Sequence, residues 1–418
     1  MVTRSCLSLL LLLAAGCAST PERASSSGLA APGFKPRALR AGETGVALQC
    51  SKIFAMDEHD HIFAPGTVLV RNGKIEYVGP RRAAPAGYEV HAFEQGWALP
   101  GMVDLHSHVQ GTFDINDMVL PINAELRASP AYVPGNTSLD RARAAGVTTL
   151  LGIPGSGTSI SGFGVLHKTK DTPLYDTAVI ADPGAMKVAQ SYNPERSADF
   201  GSTRAGLGWL LREANERAIA ANEAGVVDPR LENLQKVHAR ELPVLIHCAG
   251  SDGVGKAVNM WKGEYDTRCV VSHGCFDAFK IAPYVVRMQV PMNHGPRTID
   301  FRVSREGRFV GTAGEYLEAG ARDFSLNTDA PVVPQEELFL QGTVSARYGA
   351  DSYSMLRGLT IHPARSIGLG DRLGSLEPGK DADIGVFNGD PIDPRTRCEL
   401  VLIDGVVEYS RTRDGQLF

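Results

Sequence analysis

Long runs of positive charge are absent from this 418-residue chain, whose formal net charge is −5. A nucleic-acid groove or a polybasic membrane patch needs clustered Lys and Arg, so the sequence argues against both. Low-complexity segments and short-period repeats are also absent after residue 42, which argues against disordered and repeat architectures. The partner expected from this composition is a small-molecule substrate, with no nucleic acid.

A disulfide framework is a second feature that the sequence lacks. The chain has 7 cysteines, and those beyond the first 17 residues are Cys50, Cys248, Cys269, Cys275 and Cys398. An odd remainder argues against a disulfide scaffold. Cys248 is adjacent to His247 on a predicted strand and so points to the opposite face, which favours a buried strand cysteine over an activated nucleophile.

The apolar run at residues 7–15 is too short to cross a bilayer, which needs ~20 apolar residues. It follows Arg4 and ends in a Leu-Ala-Ala-Gly-Cys sequence that resembles the lipobox of bacterial lipoproteins. This predicts a signal peptide over 1–17, lipidation of Cys17 and a flexible tether over 18–42. The expected location is the cell envelope, lipid-anchored in the outer membrane or facing the periplasm. An ordinary cleaved signal, with an incidental cysteine, is the alternative.

Short β-like runs occupy both ends of the mature chain. Residues 67–70 and 75–78 flank Asn72-Gly73, a strong hairpin signal because both central positions of a tight turn need positive φ. The last fifty residues contain similar runs. We therefore expect the segments 43–97 and 369–418 to fold together as one small β-sandwich domain.

Between these ends, helical and strand patterns alternate. A helix capped by Thr137 or Ser138 leads into the apolar strand 147–151, and the same helix-then-strand unit recurs before residues 243–247. Repeated alternation of this kind predicts a parallel sheet that closes on itself. The expected fold class is α/β, with a (β/α)8 TIM-like barrel over 98–368.

Five candidate site residues follow predicted strands of this barrel. His106 and His108 are two residues apart on one strand, so they project from the same face and can hold one metal as neutral imidazoles. His247, His273 and Asp329 each close another apolar strand. Barrel enzymes place their catalytic groups at these strand ends, so the set favours a metal-dependent active site over unrelated core residues.

The order of these residues resembles the amidohydrolase superfamily, which includes dihydroorotase, adenine deaminase and imidazolonepropionase. Residues 100–104 are similar to the segment with which the family's barrel begins, and residues 374–383 to its return into the β-domain. Residues 146–156 and 184–189 look most like the imidazolonepropionase-like branch. The resemblance covers nearly the whole mature chain.

The resemblance implies a hydrolase of carbon–nitrogen bonds in amides, cyclic amides or dipeptide-like molecules, acting through a zinc-activated water. The metal ligands that it implies are His106, His108, Lys187, His247, His273 and Asp329. His273 would also polarise the substrate, and Asp329 would be the general base. Lys187 would be a carbamylated lysine that bridges two metals, or else a surface or substrate-contacting lysine. One or two zinc ions, or another divalent metal, would be bound.

Two further features bear on the substrate and on turnover. His294 and Arg297 lie near the end of another predicted strand and would bind a substrate carboxylate or carbonyl, the alternative being a capped loop. Many relatives have a histidine or serine after the final aspartate, where this chain has Ala330. That departure motivates a second hypothesis, a ligand-binding envelope lipoprotein with a catalytically impaired barrel. The sequence does not name the substrate and leaves a homo-oligomer open.

Overall fold

The computed structural model describes residues 28–112, 114–195, 201, 203–296, 298–300 and 309–417. The expectations for the signal peptide, for Cys17 and for Arg297 concern residues outside this description. Among the residues described, no helix combines the length and the apolar character that spanning a membrane requires.

The described residues form 21 strands. In chain order they are β1 (Leu29–Ala30), β2 (Gly45–Phe54), β3 (Ile62–Phe63), β4 (Gly66–Arg71), β5 (Lys74–Pro80), β6 (Glu89–Pro100), β7 (Met102–Ser107), β8 (Val147–Gly152), β9 (Ile160–Phe163), β10 (Val165–Lys168), β11 (Val179–Ala181), β12 (Met186–Ala189), β13 (Val244–Cys248), β14 (Cys269–His273), β15 (Met292–His294), β16 (Ile299–Asp300), β17 (Val310–Gly311), β18 (Phe324–Leu326), β19 (Ile384–Phe387), β20 (Cys398–Ile403) and β21 (Val406–Ser410).

The same residues form eleven α-helices. They are α1 (Thr137–Ala144), α2 (Tyr175–Ala178), α3 (Arg204–Glu223), α4 (Glu232–His238), α5 (Gly250–Val258), α6 (Ala282–Arg287), α7 (Thr312–Glu318), α8 (Leu338–Arg347), α9 (Ser352–Leu359), α10 (Ile361–Ser366) and α11 (Arg411–Asp414). A π-helical segment, Asn259–Glu264, continues α5, and short 3₁₀ helices occupy Ser129–Ala131, Phe276–Ile281 and Gln335–Glu337.

The two ends of the chain build one nine-stranded sheet, in the order β1-β5-β4-β2-β6-β19-β20-β21 with β3 paired to β2. Its β4–β5 hairpin turns at Asn72 and Gly73, whose φ angles are 49° and 78°, which confirms the predicted hairpin. The strand β6 from the first segment pairs with β19 from the last. This β-domain therefore depends on both ends of the chain.

The barrel is a ring of strands whose carboxyl ends carry the candidate site. Strand β7 pairs in parallel with β8, and the strands β12, β13, β14, β15 and β18 pair in parallel in that order. A parallel bridge between Ser107 and Ala330, with the His108 N–H donating to the Ala330 carbonyl over 2.9 Å, joins β7 to the segment after β18. The TIM-like barrel is thus present.

One position of the ring differs from the regular βα repeat. The strands β10 and β9, separated only by Gly164, pair antiparallel with β8 and β12 respectively and connect the two parallel groups. The loop between Gly152 and Ile160 is too short for a crossover helix, and a parallel return needs a dozen or more residues. The chain therefore runs back antiparallel, so the ring contains seven parallel strands and one antiparallel strand.

The predicted cap of helix α1 was wrong by one residue. Asn136 is the cap, since its side-chain oxygen accepts hydrogen bonds from the backbone N–H groups of Ser138, at 2.9 Å, and Leu139, at 3.3 Å. An asparagine side chain in this position satisfies two of the helix's free N–H groups at once. Thr137 is the first residue of the helix instead.

The five cysteines of the described chain are buried and form no disulfide with one another, as expected from their odd number. Burial raises the pKa of the Cys248 thiol well above its ordinary value, so at neutral pH this thiol stays protonated. A buried, protonated thiol is a poor nucleophile, in agreement with the reading of Cys248 as a core residue.

A buried ionic cluster attaches the β-domain to the barrel. Lys168, at the end of β10, places its Nζ 2.7 Å from Asp381 Oδ2, 3.1 Å from Asp383 Oδ1 and 2.5 Å from Asp404 Oδ1. The lysine is only 2% exposed and Asp383 only 4%. Three carboxylates of the β-domain thus share one ammonium group from the barrel.

Candidate active site

Six predicted site residues converge at the carboxyl ends of the barrel strands. They are His106 on β7, His108 just after it, Lys187 on β12, His247 on β13, His273 on β14 and Asp329, three residues after β18. The rings of His106 and His273 lie 4.5 Å apart, as do those of His247 and His273. The structure therefore brings together side chains from five different strands.

These side chains form two groups with the donor atoms of a metal site. His106, His247 and His273 make one group, and His106, His108 and Asp329 the other, with the ligand atoms of each group within 4.8 Å of one another. Imidazole nitrogens and a carboxylate oxygen are the donors that Zn²⁺ takes in catalytic sites. Since both groups include His106, the donor set accommodates one ion or two.

Backbone hydrogen bonds fix the orientation of two of the rings. The Nδ1–H of His108 donates to the Ile153 carbonyl over 2.8 Å, and that of His273 donates to the Gly295 carbonyl over 2.7 Å. In the neutral rings the other nitrogen, Nε2, therefore carries a free lone pair. Such a second hydrogen bond is the usual way in which proteins orient metal-binding histidines.

The lone pair on His108 Nε2 faces a carboxylate oxygen. His108 Nε2 lies 3.2 Å from Asp329 Oδ1, and His106 Nε2 lies 3.2 Å from the same oxygen. The buried Nε2 of His273 has no partner among the residues described. A lone pair that faces a carboxylate oxygen is unfavourable unless a cation lies between them, so these residues fit a divalent metal.

The electrostatics of the site match the protonation states that a metal needs. Burial lowers the pKa of His106, His247 and His273, which keeps these rings neutral at pH 7. Burial also lowers the pKa of Lys187 to about 7. Burial acts to raise the pKa of Asp329, but the electrostatic interactions of its carboxylate with the imidazoles of His106 and His273 outweigh this and hold that pKa well below its usual range. Asp329 is thus a carboxylate.

Lys187 lies inside the site and not on the surface. Its side chain is fully buried, and its Nζ is 3.0 Å from His106 Nε2 and 3.3 Å from the Pro154 carbonyl. The surface alternative from the sequence is therefore wrong. The local pattern around residue 187 could not reveal this, because the burial is produced by β7 and β13, which are distant in the chain.

Sequence reasoning missed the residues that support the ligands. Asp104 accepts the His106 backbone N–H at Oδ1, and its Oδ2 accepts from the backbone N–H and hydroxyl of Thr328 and from Gln335 Nε2. This buried carboxylate thereby links β7 to the residue before Asp329. The position of Asp104, two residues before His106 on one strand face, was the available signal.

Of the two predicted substrate-binding residues, the described one, His294, is not part of the cluster. His294 is fully buried, its Nδ1–H donates to the His273 carbonyl over 2.7 Å, and its Nε2 accepts from the Thr312 hydroxyl over 2.7 Å. Both ring nitrogens are thus used within the protein, and the histidine supports the backbone of His273. Arg297 lies outside the described residues.

Comparisons with known proteins agree with this geometry. The profile of the Amidohydrolase family matches residues 97–409. The chain is 25% identical over 394 residues to Amidohydrolase tasK of Hapsidospora irregularis, covering 82% of this chain but only 40% of that relative. It is 26% identical over 383 residues to the Imidazolonepropionase of Aromatoleum aromaticum, covering 81% and 89% of the two chains.

A solved structure extends the agreement to the fold. The amidohydrolase from Thermotoga maritima MSB8 superposes with a TM-score of 0.79 at 29% identity, covering 88% of this chain and all of that one. Because the family profile spans the barrel, all six clustered residues and the final strands, the chain belongs to the amidohydrolase family of hydrolases, in its imidazolonepropionase-like branch.

Proposed function

We propose that the protein is a metal-dependent hydrolase that cleaves carbon–nitrogen bonds in amides, cyclic amides or dipeptide-like molecules, with zinc as its ion. The observation that carries the proposal is the lone pair on His108 Nε2, which faces Asp329 Oδ1 at 3.2 Å, beside the buried Nε2 of His273, which has no partner among the residues described. A site that only maintained the fold would place a proton donor there. The relative named Imidazolonepropionase supports the choice of bond.

The ion would be held by His106, His108, His247, His273 and Asp329. When bound, a divalent ion in such a site lowers the pKa of water and polarises a carbonyl group. Asp329 is the group that takes the proton from the attacking water and passes it to the leaving nitrogen, since it is the carboxylate of the cluster. His273, whose ring is fixed by the Gly295 carbonyl, has the second task of polarising the substrate carbonyl.

Burial contributes to the chemistry of these side chains. His106 is not exposed at all and His273 is only 5% exposed. In such a low-dielectric environment, charges and dipoles interact more strongly than in water. Asp104 and Ser272 hold His106 by its backbone N–H and by Nδ1, so that the ring does not need to reorganise during the reaction.

The chemical state of Lys187, free amine or carbamate, determines whether the site binds one ion or two. A carbamate forms when an uncharged lysine amine adds to CO₂, and a carbamylated Lys187 would supply two oxygens to a pair of ions. Native mass spectrometry of the intact protein tests this directly. A mass increase of one CO₂ together with two equivalents of zinc supports the carbamate, whereas unmodified protein with one equivalent assigns Lys187 to a site with a single ion.

The central experiment measures zinc content and turnover in the wild type, in His106→Ala and in His59→Ala. His59 is a matched control because it lies in the β-domain, where its side chain is 62% exposed. We expect His106→Ala to lose most of its zinc and nearly all its turnover, and a chelator to abolish activity of the wild type. His59→Ala should retain both.

The same experiment separates the enzyme from the second hypothesis. A metal-free wild type that binds ligand unchanged after chelation would support a binding protein and contradict the hydrolase. The retained set of six clustered residues favours the hydrolase. We also propose export as a lipoprotein, a proposal that rests on the residues around Cys17 alone.

A further inference from the structure

Three polar side chains form a row across neighbouring strands, just before the strand ends that carry the cluster. Ser272 on β14, Asn293 on β15 and Ser325 on β18 are register partners in the parallel sheet. All three are fully buried. Because register partners in parallel strands point to the same side of the sheet, these side chains lie next to one another. Ser272 also contacts the cluster, through His106.

Hydrogen-bond contacts join this row to His106. His106 Nδ1 lies 2.5 Å from Ser272 Oγ, and Ser272 Oγ lies 3.4 Å from Asn293 Nδ2. At the other end of the amide, Asn293 Oδ1 lies 3.1 Å from Ser325 Oγ, which lies 3.2 Å from the Met292 carbonyl oxygen. The His106 ring is therefore connected, through three side chains, to a backbone carbonyl that can only accept.

The surroundings of Nε2 do not determine which nitrogen of the neutral His106 ring carries the hydrogen. Lys187 Nζ, a donor, lies 3.0 Å from Nε2, and Asp329 Oδ1, an acceptor, lies 3.2 Å from it. The lysine favours a lone pair on Nε2, whereas the carboxylate favours a hydrogen there. To hold a metal, Nε2 must present its lone pair, so the hydrogen must lie on Nδ1. The row on the Nδ1 side therefore determines the tautomer.

The row makes most hydrogen bonds when the hydrogen lies on Nδ1. The two ends of an amide have nearly the same shape, so Asn293 can present its oxygen or its nitrogen to Ser272. With the oxygen toward Ser272, the His106 Nδ1–H donates to that hydroxyl, which donates to Asn293. The amide nitrogen then donates to Ser325, and Ser325 to the Met292 carbonyl. With the nitrogen toward Ser272, as in this structure, the order reverses, and the single hydrogen of Ser325 goes to Asn293 instead of the carbonyl.

We propose that Ser272, Asn293 and Ser325 are positioning residues that keep the hydrogen of His106 on Nδ1. The Asn293 oxygen then faces Ser272, and Nε2 presents its lone pair to the metal. The inference rests on the metal site of the proposed function and adds residues that act on it through His106. Ser325 gives the sharpest test, because its hydrogen bonds are to Asn293 and the Met292 carbonyl. Any effect of Ser325 on the metal therefore passes through the row.

The first measurement is the zinc dissociation constant of wild type, Ser272→Ala, Ser325→Ala and the double variant, by competition with a chelator. We expect Ser272→Ala to raise it roughly 10- to 100-fold, since this variant removes the acceptor of Nδ1–H. Ser325→Ala should raise it roughly 3- to 10-fold through the loss of one hydrogen bond. The double variant should equal Ser272→Ala, because a row broken at its first link is already uncoupled from its last. Two independent structural losses would multiply instead, and that result would overturn the proposal.

Ser345→Ala is the matched control. Ser345 is also a fully buried serine whose hydroxyl donates to a carbonyl, that of Gln341, over 2.7 Å, but it lies in α8. We expect its melting temperature to fall about as much as that of Ser325→Ala, with an unchanged zinc dissociation constant. If the control weakened zinc binding as much as Ser325→Ala, a general loss of stability would explain both, and the proposal would be wrong.

Nitrogen-15 NMR of histidine-labelled, metal-free protein measures the tautomer directly and needs neither zinc nor turnover. The His106 signals are those missing from His106→Ala. We expect Nδ1–H in wild type, and a shift toward Nε2–H in Ser272→Ala and, more weakly, in Ser325→Ala, because the Asp329 oxygen is then the better acceptor. Nε2–H in wild type, or one tautomer in all three proteins, overturns the inference. A wild type that shows the expected tautomers but binds no zinc, or hydrolyses no amide, contradicts the proposed function alone.

Discussion

Replacing Lys168 by methionine should weaken the attachment between the β-domain and the barrel. The substitution keeps the length of the side chain but leaves the carboxylates of Asp381, Asp383 and Asp404 without their shared cation. Asp381 retains Lys74 and Arg372, and Asp404 retains Lys170. Among the described residues, the Asp383 carboxylate retains only the backbone N–H of Asp404, at 2.8 Å. Loss of the Lys168 ammonium therefore leaves Asp383, more than Asp381 or Asp404, as an uncompensated buried charge.

The magnitude follows from breaking a buried ion pair on one side, which costs roughly 3–5 kcal/mol because an uncompensated charge is left behind. A chain of this length has an unfolding entropy of about 0.9 kcal/mol/K, so the melting temperature should fall by about 3–6 °C. The double variant Lys168→Met with Asp383→Asn removes that buried charge as well. It should recover most of the loss.

The pH dependence of this loss has a definite sign. Burial raises the pKa of Asp383 above its ordinary value, although Lys168 acts against this. A carboxyl with a raised pKa in the folded state contributes stability below its unfolded pKa and loses it as the pH rises through the folded value. Without Lys168 the raised pKa rises further. The deficit of Lys168→Met should therefore be smaller at pH 5 than at pH 8.

Thermal and urea unfolding of the three proteins at both pH values measure these differences. Lys170→Met is the control, because Asp404, at 2.5 Å, is the one described carboxylate that the less buried Lys170 ammonium contacts. A Lys168→Met protein as stable as wild type at pH 8, or a double variant no more stable than the single one, would refute the reasoning.

Three other predictions concern function and location. Asp329→Asn keeps the size of the side chain but removes its basic oxygen, so kcat should fall by roughly 10²–10⁴-fold at matched zinc content while KM changes little; a near-normal kcat would assign the base elsewhere. Asp104→Leu removes the acceptor that links His106 to Thr328 and should lower kcat while the protein still binds zinc, as shown by metal analysis beside steady-state kinetics. Cys17→Ala should move the protein from the membrane fraction to the soluble fraction, and equal fractionation of the two forms would argue for an ordinary signal.

The convergence of the ligand residues could be predicted because it depends on a local property. His247 and His273 each close an apolar run, and the ends of parallel strands meet at one edge of a barrel. Burial of Lys187 and the engagement of both nitrogens of His294 depend on contacts between distant segments. The local sequence pattern around Lys187 and His294 therefore could not predict whether either side chain is buried or hydrogen-bonded.

The periodicity of apolar residues also does not predict the direction in which a strand runs. Residues 160–168 have an apolar strand pattern, and the same pattern serves a parallel or an antiparallel strand. The length of the preceding loop was the usable signal, because seven residues between Gly152 and Ile160 do not contain a crossover helix. The role of Asp104 was missed because its place on the strand face of His106 does not show that its carboxylate also contacts Thr328, which is distant in the chain.

The pairing of β6 with β19 also sets the order in which the molecule can be completed during synthesis. Residue 100 emerges from the ribosome long before residue 384, its neighbour in the sheet. Until then β6 lacks its partner on that side, and an unpaired strand edge is a site for aggregation. The barrel is synthesised entirely after residue 100 and before residue 384. It can therefore fold before the β-domain is complete. A chain truncated before residue 384 should thus retain its ligand residues yet aggregate, with the C-terminal strands protecting the N-terminal ones.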